Sequence, residues 1–143
     1  MALAQDATGD ASFAQTLEAA LLNDLQAATP QGINSQVALA HWADDGALMA
    51  GLSATTSYGW LRVNMIWVAQ QHRRAGYARG LMQQAFDLAC DRGCHGAWLE
   101  TSNPKARDFY HSIGFAEFGR LKNGAKGEPP THSRWFLKKT LVD

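Results

Sequence analysis

The chain has 143 residues, a length that suits one domain with a buried core, and its 46% hydrophobic and 18% charged residues fit a globular protein. Its formal net charge is zero, which disfavours a nucleic-acid partner, because nucleic-acid binders usually carry a basic excess. No apolar run approaches the roughly 20 residues that span a bilayer, and residues 1–10 lack the basic and apolar regions of a signal peptide. We therefore expect a cytoplasmic protein without a membrane partner.

The N-terminal part predicts one helix after a frayed segment. Residues 1–11 are small and polar, so we expect them to be frayed. The pattern from Ser12 to Gln15 predicts a capping box, and the helix that it opens should stop before Pro30, because the residue preceding a proline disfavours helix. The remaining chain, through residue 143, is predicted to complete a single domain that begins at residue 12.

Strands and helices then alternate in a pattern typical of an α+β fold. The predicted strands are 36–42, 47–56, 60–69, 96–101, 115–121 and 132–141, and the predicted helices run to about residue 92 and over 104–112. The first strands should pair as antiparallel hairpins. Because a helix connects strand 60–69 to strand 96–101, we expect those two to be parallel with a right-handed crossover. The result is a mixed, mostly antiparallel sheet flanked by helices.

The junction after strand 60–69 carries a candidate anion site. Residues 71–82 form an Arg-, Gly- and Ala-rich loop that leads into a helix with an apolar face. Gly76 and Ala78 allow a ligand to approach the backbone closely. The first N–H groups of a helix have no internal partner, and the helix dipole is positive there. Together with Arg73, Arg74 and Arg79, this loop predicts a phosphate or pyrophosphate site.

A second motif follows about thirty residues later, over residues 103–115. Asn103 is suited to cap a helix, and Pro104 suits the first helical position. Gly114 is placed to end that helix, and Phe115 should begin the next strand. Tyr110 falls on the face that also carries the apolar residues of the segment.

The two motifs together resemble the GNAT superfamily of N-acetyltransferases. The first fits the pattern R-x-x-G-x-A between strand and helix, and the second fits N-x-x-A-x-x-F-Y-x-x-x-G-F at every specified position. The resemblance covers about residues 35–140, and it is strengthened by a last strand similar to that of a small bacterial subset. It implies a sheet in which the parallel strands 60–69 and 96–101 splay apart. It also implies acetyl-CoA as co-substrate, no metal, and acetyl transfer to a primary amine.

The resemblance also assigns the residues that would hold acetyl-CoA. The main chain of the first parallel strand would pair with the pantetheine, the loop would bind the pyrophosphate, and the following motif would supply further contacts. The residues so assigned are Ile66, Trp67, Val68, Arg73, Arg74, Ala75, Gly76, Tyr77, Ala78, Arg79, Asn103 and Phe109. Which arginine meets the 3′-phosphate stays open. An N–H near Trp67 or Val68 is the natural oxyanion donor.

Two catalytic residues are predicted. Tyr110 is assigned to protonate the leaving thiolate, because a phenol with a pKa near 10 stays neutral at pH 7. Glu100, at the C-terminal end of the second splayed strand, is the preferred carboxylate for taking the proton of the ammonium. His41, His132 and a water relay remain alternatives.

The acceptor is expected to be a small molecule with one amine and an apolar or aromatic body. No acidic run would attract a polycation, and the strands near the predicted pocket carry Trp and Tyr. The family usually has a strand and two helices before residue 36, whereas this chain has room for one good helix. One wall of the acceptor pocket should therefore be reduced, or supplied by a second subunit of a homodimer. A non-catalytic acyl-CoA-binding sensor or interaction module is the alternative function.

Two cysteines complete the candidate set. Cys90 and Cys94 lie near the end of the second helix, and no His pair at metal-ligand spacing accompanies them. Both are interpreted as small buried hydrophobes.

Overall fold

A computed structural model describes residues 2–30 and 32–142, which form three helices and six strands. The helices are α1 (Ala11–Ala28), α2 (Tyr77–Asp91) and α3 (Pro104–Ser112). The strands are β1 (Ser35–Trp42), β2 (Leu48–Ser57), β3 (Trp60–Val68), β4 (Gly96–Thr101), β5 (Ala116–Lys122) and β6 (Ser133–Thr140). Every predicted helix and strand is present, with ends shifted by no more than one or two residues in most cases. None of the helices in the described part is long and apolar enough to cross a membrane.

The chain divides into two compact units, the first ending at Gly32 and the second beginning at Ile33. The first unit contains α1. Its N-cap is Asp10, whose carboxylate accepts from the backbone N–H of Ser12 at 3.0 Å and from the Ser12 hydroxyl at 2.7 Å. The predicted capping box at Ser12 is therefore wrong, because the N-cap is Asp10 and Ser12 is already the second residue of the helix. The helix ends at Ala28, before Pro30, as predicted.

The second unit is built on one six-stranded sheet in the order β1-β2-β3-β4-β6-β5. All neighbouring strands are antiparallel except β3 and β4, which are parallel as predicted. Only three residue pairs join the parallel strands, and the last of them is Arg62 with Trp98. Beyond that pair the two strands separate. The sheet therefore opens into a gap between the C-terminal halves of β3 and β4.

A β-bulge at Asn64 changes which side chains of β3 face the core. Before it, Leu61 and Val63 are buried, and after it Ile66 pairs with the buried Leu52 of β2. The register consequently turns Met65 and Trp67 to the other face, where they are 68% and 49% exposed. About half of the β3 side chains therefore face the core, and the others face the opposite side of the sheet.

Helices α2 and α3 of the second unit pack on the same face of the sheet. Leu81, Met82, Ala85, Phe86 and Ala89 of α2 are buried, and α2 packs on β1, β2 and β3. Tyr110 of α3 joins this core through Phe115, which also contacts Phe86. We call this the helix face of the sheet. The opposite face carries Arg62, Trp98 and Glu100. We call it the open face because both helices of the second unit lie on the other side of the sheet.

The burial of the cysteines and tryptophans depends on their positions in the fold, and one cysteine differs from expectation. Cys94 is buried as predicted, but Cys90 is exposed on α2, so its interpretation as a buried hydrophobe is wrong. Among the tryptophans Trp135 is buried, whereas Trp42 and Trp67 are exposed. Composition alone does not reveal these differences, because they depend on which face of a helix or strand each residue occupies.

Candidate active site

The loop between β3 and α2 presents a row of backbone N–H groups. The chain makes a 3₁₀ turn at Gln70–His72 and then adopts left-handed conformations at Arg74 (φ 63°) and Gly76 (φ 88°). The backbone N–H groups of residues 74–79 have no hydrogen-bond acceptor among the described residues. The next one, that of Gly80, donates to the Gly76 carbonyl at 3.0 Å. Six consecutive donors at the positive end of α2 form a site suited to a phosphate or pyrophosphate group.

A cavity of about 590 Å³ extends from this loop along β3 to α3. It collects twelve of the fourteen residues that the sequence assigns to the site; Ala75 and Glu100 do not line it. The lining consists of Ile66, Trp67, Val68, His72, Arg73, Arg74, Gly76, Tyr77, Ala78, Arg79, Asn103, Lys105, Ala106, Phe109 and Tyr110. All of these residues belong to the second unit.

The charged residues that line the cavity are cationic. Arg73, Arg74, Arg79 and Lys105 contribute, and no carboxylate of the described chain is among the lining residues. Arg73 has a second role, because its Nε donates to the Val68 carbonyl at 3.0 Å and so ties the loop to the end of β3. Four cations beside the row of N–H groups match the chemistry of a ligand that carries several phosphates.

The wall formed by β3 has an open backbone edge. Pairing with β4 ends at Arg62, so in the described structure the edge of residues 63–68 that faces β4 has no strand partner. Ile66, Trp67 and Val68, which line the cavity, lie in this stretch. An extended ligand with amide groups can pair with such an edge as an added strand does.

Asn103 caps α3 while lining the cavity. Its Oδ1 accepts from the backbone N–H of Lys105 at 2.9 Å and, more weakly, from that of Ala106 at 3.5 Å. The side-chain Nδ2 makes no hydrogen bond with any described residue. Asn103 thus fixes the start of the helix that carries Tyr110 and offers one amide donor to the cavity.

Tyr110 is 7% exposed and is held by aromatic neighbours. Its ring centroid lies 5.5 Å from that of Phe109 and 5.8 Å from that of Phe115. No described residue hydrogen-bonds its hydroxyl, and the side chain lines the cavity. Burial raises the pKa of this phenol above its ordinary value of 10.0, since an ionised ring would lose hydration. The position therefore holds a protonated phenol at neutral pH.

Glu100 lies on the open face of the sheet. One of its carboxylate oxygens is 3.9 Å from Nη2 of Arg62, and its side chain is 35% exposed. Along β4 its side chain alternates with the buried Leu99, which faces the helices. Glu100 and Tyr110 therefore approach the gap between β3 and β4 from opposite faces.

Three lining residues were not assigned by sequence reasoning. They are His72, Lys105 and Ala106. His72 is half-buried, and its ring centroid lies 6.1 Å from that of Tyr77. Lys105 could have been recognised as a cation in the first turn of a helix that begins at the site. The two histidines considered as bases, His41 and His132, do not line this cavity. The His41 ring centroid lies 5.1 Å from that of Tyr77, and His132 Nε2 is 3.1 Å from Ser102 Oγ.

Known sequences similar to this chain are acetyltransferases. A family model described as the acetyltransferase (GNAT) family matches residues 7–115. Acetyltransferase Atu2258 of Agrobacterium fabrum is 35% identical over 96 residues, which cover 67% of this chain and 68% of the relative. Blasticidin-S acetyltransferase of Streptomyces morookaense is 32% identical over 97 residues, again 67% of this chain and 68% of the relative.

Solved structures share the fold. A proposed acetyltransferase from Agrobacterium tumefaciens superposes with a TM-score of 0.86 at 28% identity, over 98% of this chain and 99% of that one. An aminoglycoside 6′-N-acetyltransferase, solved with coenzyme A, superposes with a TM-score of 0.64 over 76% of this chain and 74% of that one. At 15% identity, this second likeness concerns the fold alone.

Proposed function

Because the chain belongs to the GNAT family of acetyltransferases, we propose that it transfers an acetyl group from acetyl-CoA to the primary amine of a small molecule by direct attack. The observation that carries this proposal is the row of unsatisfied N–H groups of residues 74–79, set among four cations. A ligand with a diphosphate and a further phosphate would accept hydrogen bonds from these N–H groups and would pair with the cations. Acetyl-CoA is such a ligand.

The donor would lie along β3. Its pyrophosphate would accept hydrogen bonds from the loop N–H groups, and its pantetheine amides would pair with the open edge at residues 66–68. The thioester would then lie in the gap between the splayed strands. A backbone N–H near Trp67 or Val68 would stabilise the oxyanion, and one such donor is worth about 3–4 kcal/mol of the barrier.

Tyr110 would act as the general acid. When the amine nitrogen attacks the thioester carbon, the C–S bond breaks and the coenzyme leaves as a thiolate. The Tyr110 hydroxyl lines the cavity and has no competing acceptor in the described structure, so it is available to donate its proton to that sulfur. A role as proton donor also fits the raised pKa of the phenol.

The pH dependence of the reaction follows from the ionisation of the acceptor amine and that of Tyr110. An alkyl ammonium loses its proton near pH 10.4, while burial keeps Tyr110 protonated beyond pH 10.0. With a saturating donor and an alkylamine acceptor, we expect kcat/KM to rise from pH 7 to pH 10 without an alkaline limb. Initial rates across that interval measure it. A decline with an apparent pKa below 10 would contradict the assignment of Tyr110 as the acid.

The proton of the ammonium would leave through Glu100 or through water. Glu100 lies on the open face, the side of the gap opposite Tyr110. This arrangement suits a reaction in which the acceptor enters from one face and the leaving thiolate is protonated from the other. His41 contacts Tyr77 on the cavity side and His132 contacts Ser102, so neither is as well placed for an acceptor on the open face.

The acceptor is proposed to be small, with an apolar or aromatic body. The open face carries Trp60, Trp98 and Phe136, which stack well with flat groups. A relative named for blasticidin-S supports a small-molecule acceptor. We expect kcat/KM for small aromatic amines to exceed that for a lysine-rich peptide by at least 10-fold. A preference for the peptide would contradict this acceptor class while leaving acetyl transfer intact.

The experiment that tests the function is a panel of amines incubated with acetyl-CoA, with release of the free thiol as readout. Turnover that depends on the amine supports the proposal, and mass spectrometry of the product should show one added acetyl group. If acetyl-CoA binds but no amine is acetylated, the chain is a non-catalytic acyl-CoA-binding module. The presence of Tyr110 argues against that alternative, since a sensor has no need of a thiolate acid.

A further inference from the structure

Arg62 occupies a distinctive place on the open face. It forms, with Trp98, the last residue pair before β3 and β4 separate, so its side chain lies at the edge of the gap. Glu100 follows two residues after Trp98 on the same face of β4. Arg62 and Glu100 are thus neighbours on the open face, beside the gap.

The guanidinium of Arg62 is oriented but not fully paired. Its Cζ lies over the ring of Trp98, 4.8 Å from the centroid, so the indole holds the guanidinium by a cation–π contact. The contact with Glu100 is long, 3.9 Å from Nη2 to Oε1, and no described residue accepts a hydrogen bond from this guanidinium. The side chain remains 48% exposed. Its N–H edges are therefore free to bind a carboxylate in the bidentate manner that arginine favours.

A cavity adjoins this pair. It has a volume of about 370 Å³ and is lined by Asn34, Thr55, Ser57, Trp60, Arg62, Asn64 and Trp98. Trp60 and Trp98 also border a second, apolar cavity of about 410 Å³ with Phe118, Phe136 and Lys138. A small molecule whose charged end is at Arg62 thus has room for its body beside an indole ring.

We propose that Arg62 binds the carboxylate of an amino-acid acceptor whose amine lies beside Glu100. The inference rests on the proposed function and adds to it the chemical class of the acceptor. A cation and an anion 3.9 Å apart match a ligand whose own opposite charges are equally close, namely an α- or β-amino acid. The carboxylate would pair with Arg62 and the ammonium with Glu100, so the long ion pair is replaced by two charge-assisted contacts.

This arrangement also explains how the amine reaches the thioester. Arg62 lies where the strands are still paired, and Glu100 lies one step further, beside the gap. A ligand anchored by its carboxylate at Arg62 would direct its nitrogen toward the gap. There the nitrogen loses one proton to Glu100 or to water and attacks the acetyl carbon. Arg62 would thus act as a specificity and positioning residue, without taking part in proton transfer.

The test compares matched acceptors. The twenty common α-amino acids are assayed with acetyl-CoA, and each active one is compared with its amide and with the amine that lacks the carboxyl group. Values of kcat/KM are calculated per concentration of free amine, because amides have less basic nitrogens. We expect the amide and the decarboxylated amine to be about 10- to 100-fold poorer substrates, chiefly through a higher KM.

Variants of Arg62 and of a control arginine then test whether Arg62 causes the preference for the carboxylate. Arg62→Gln should remove the preference for the carboxylate, and Arg62→Lys should restore part of it. Arg107→Gln is the matched control, because Arg107 also stacks on an indole, 4.4 Å from Trp135, and also has a long ion pair, 3.7 Å from Asp108. The control should keep the preference. Acetyl-CoA binding measured by calorimetry should be the same in all of these proteins, which excludes misfolding as the cause.

Four outcomes overturn the proposal. In the first, the wild-type protein acetylates amides as well as free amino acids. In the second, Arg62→Gln slows both substrates equally. In the third, only amines without a carboxylate are acetylated, and the proposed function then stands without this acceptor class. If no amine at all is acetylated while acetyl-CoA binds, the function itself fails and this inference fails with it.

Discussion

Replacing Tyr110 with phenylalanine should lower kcat by about 10²-fold or more while leaving the affinity for acetyl-CoA nearly unchanged. The ring stays in place because its contacts with Phe109 and Phe115 do not involve the hydroxyl. What is lost is the proton that the leaving thiolate needs. Steady-state kinetics with one active amine and calorimetry with acetyl-CoA measure the two quantities separately.

Tyr58→Phe provides the control for this variant. Tyr58 lies in the turn between β2 and β3, is 61% exposed and does not line the cavity. It should lose no more than about 2-fold in kcat, since no proton transfer is assigned to it. Full turnover by Tyr110→Phe would show that water or another group protonates the thiolate.

Replacing Gly76 with valine should weaken acetyl-CoA binding by at least 100-fold from a dissociation constant in the micromolar range, about −8 kcal/mol. Gly76 has φ 88° and is the N-cap of α2, and no described heavy atom lies within 4 Å of a Cβ built there. The space beside it is therefore free for a ligand in the wild-type protein. A branched side chain would both fill that space and strain the left-handed backbone.

Gly93→Val separates these two effects. Gly93, in the turn after α2, has φ 83° and likewise meets nothing within 4 Å of a built Cβ, but it lies outside the cavity. Backbone strain should cost each variant about 1–2 kcal/mol of unfolding free energy, measured by urea denaturation. Only Gly76→Val should lose acetyl-CoA binding. If both variants bound acetyl-CoA with equal affinity, the assignment of the loop to the pyrophosphate would be contradicted.

Elements with strong local signals were predicted well from the sequence. Helix α3 begins after Asn103 and ends at Ser112, where Gly114 with φ 102° takes the left-handed conformation that ends it. Both signals act within one helical turn, so no distant contact is needed to interpret them. The Arg- and Gly-rich loop is local in the same sense, and twelve of the fourteen assigned residues do line one cavity.

The N-cap of α1 was predicted wrongly because two nearby residues could serve. Ser12 and Asp10 are both good N-caps, and the sequence pattern favours Ser12 because a glutamine follows three residues later. The structure uses Asp10, whose carboxylate accepts both the backbone N–H and the hydroxyl of Ser12. An ionised carboxylate forms stronger, charge-assisted hydrogen bonds than a hydroxyl does, and its negative charge is favourable at the positive end of the helix dipole.

Local patterns in the sequence were enough to predict the order of strands and helices, the parallel pair, and the residues of the loop that is proposed to bind the pyrophosphate. These depend on hydrophobic periodicity and on groups adjacent in the chain. The tertiary structure alone decided which strand side chains face which side. The bulge at Asn64 reverses the orientation of every later residue of β3, and it exists only in the register with β2. For the same reason, the contact of Arg62 with Trp98 and Glu100 was not foreseen. It requires two strands, whose paired residues are 36 positions apart in sequence, to pair in one particular register before they separate.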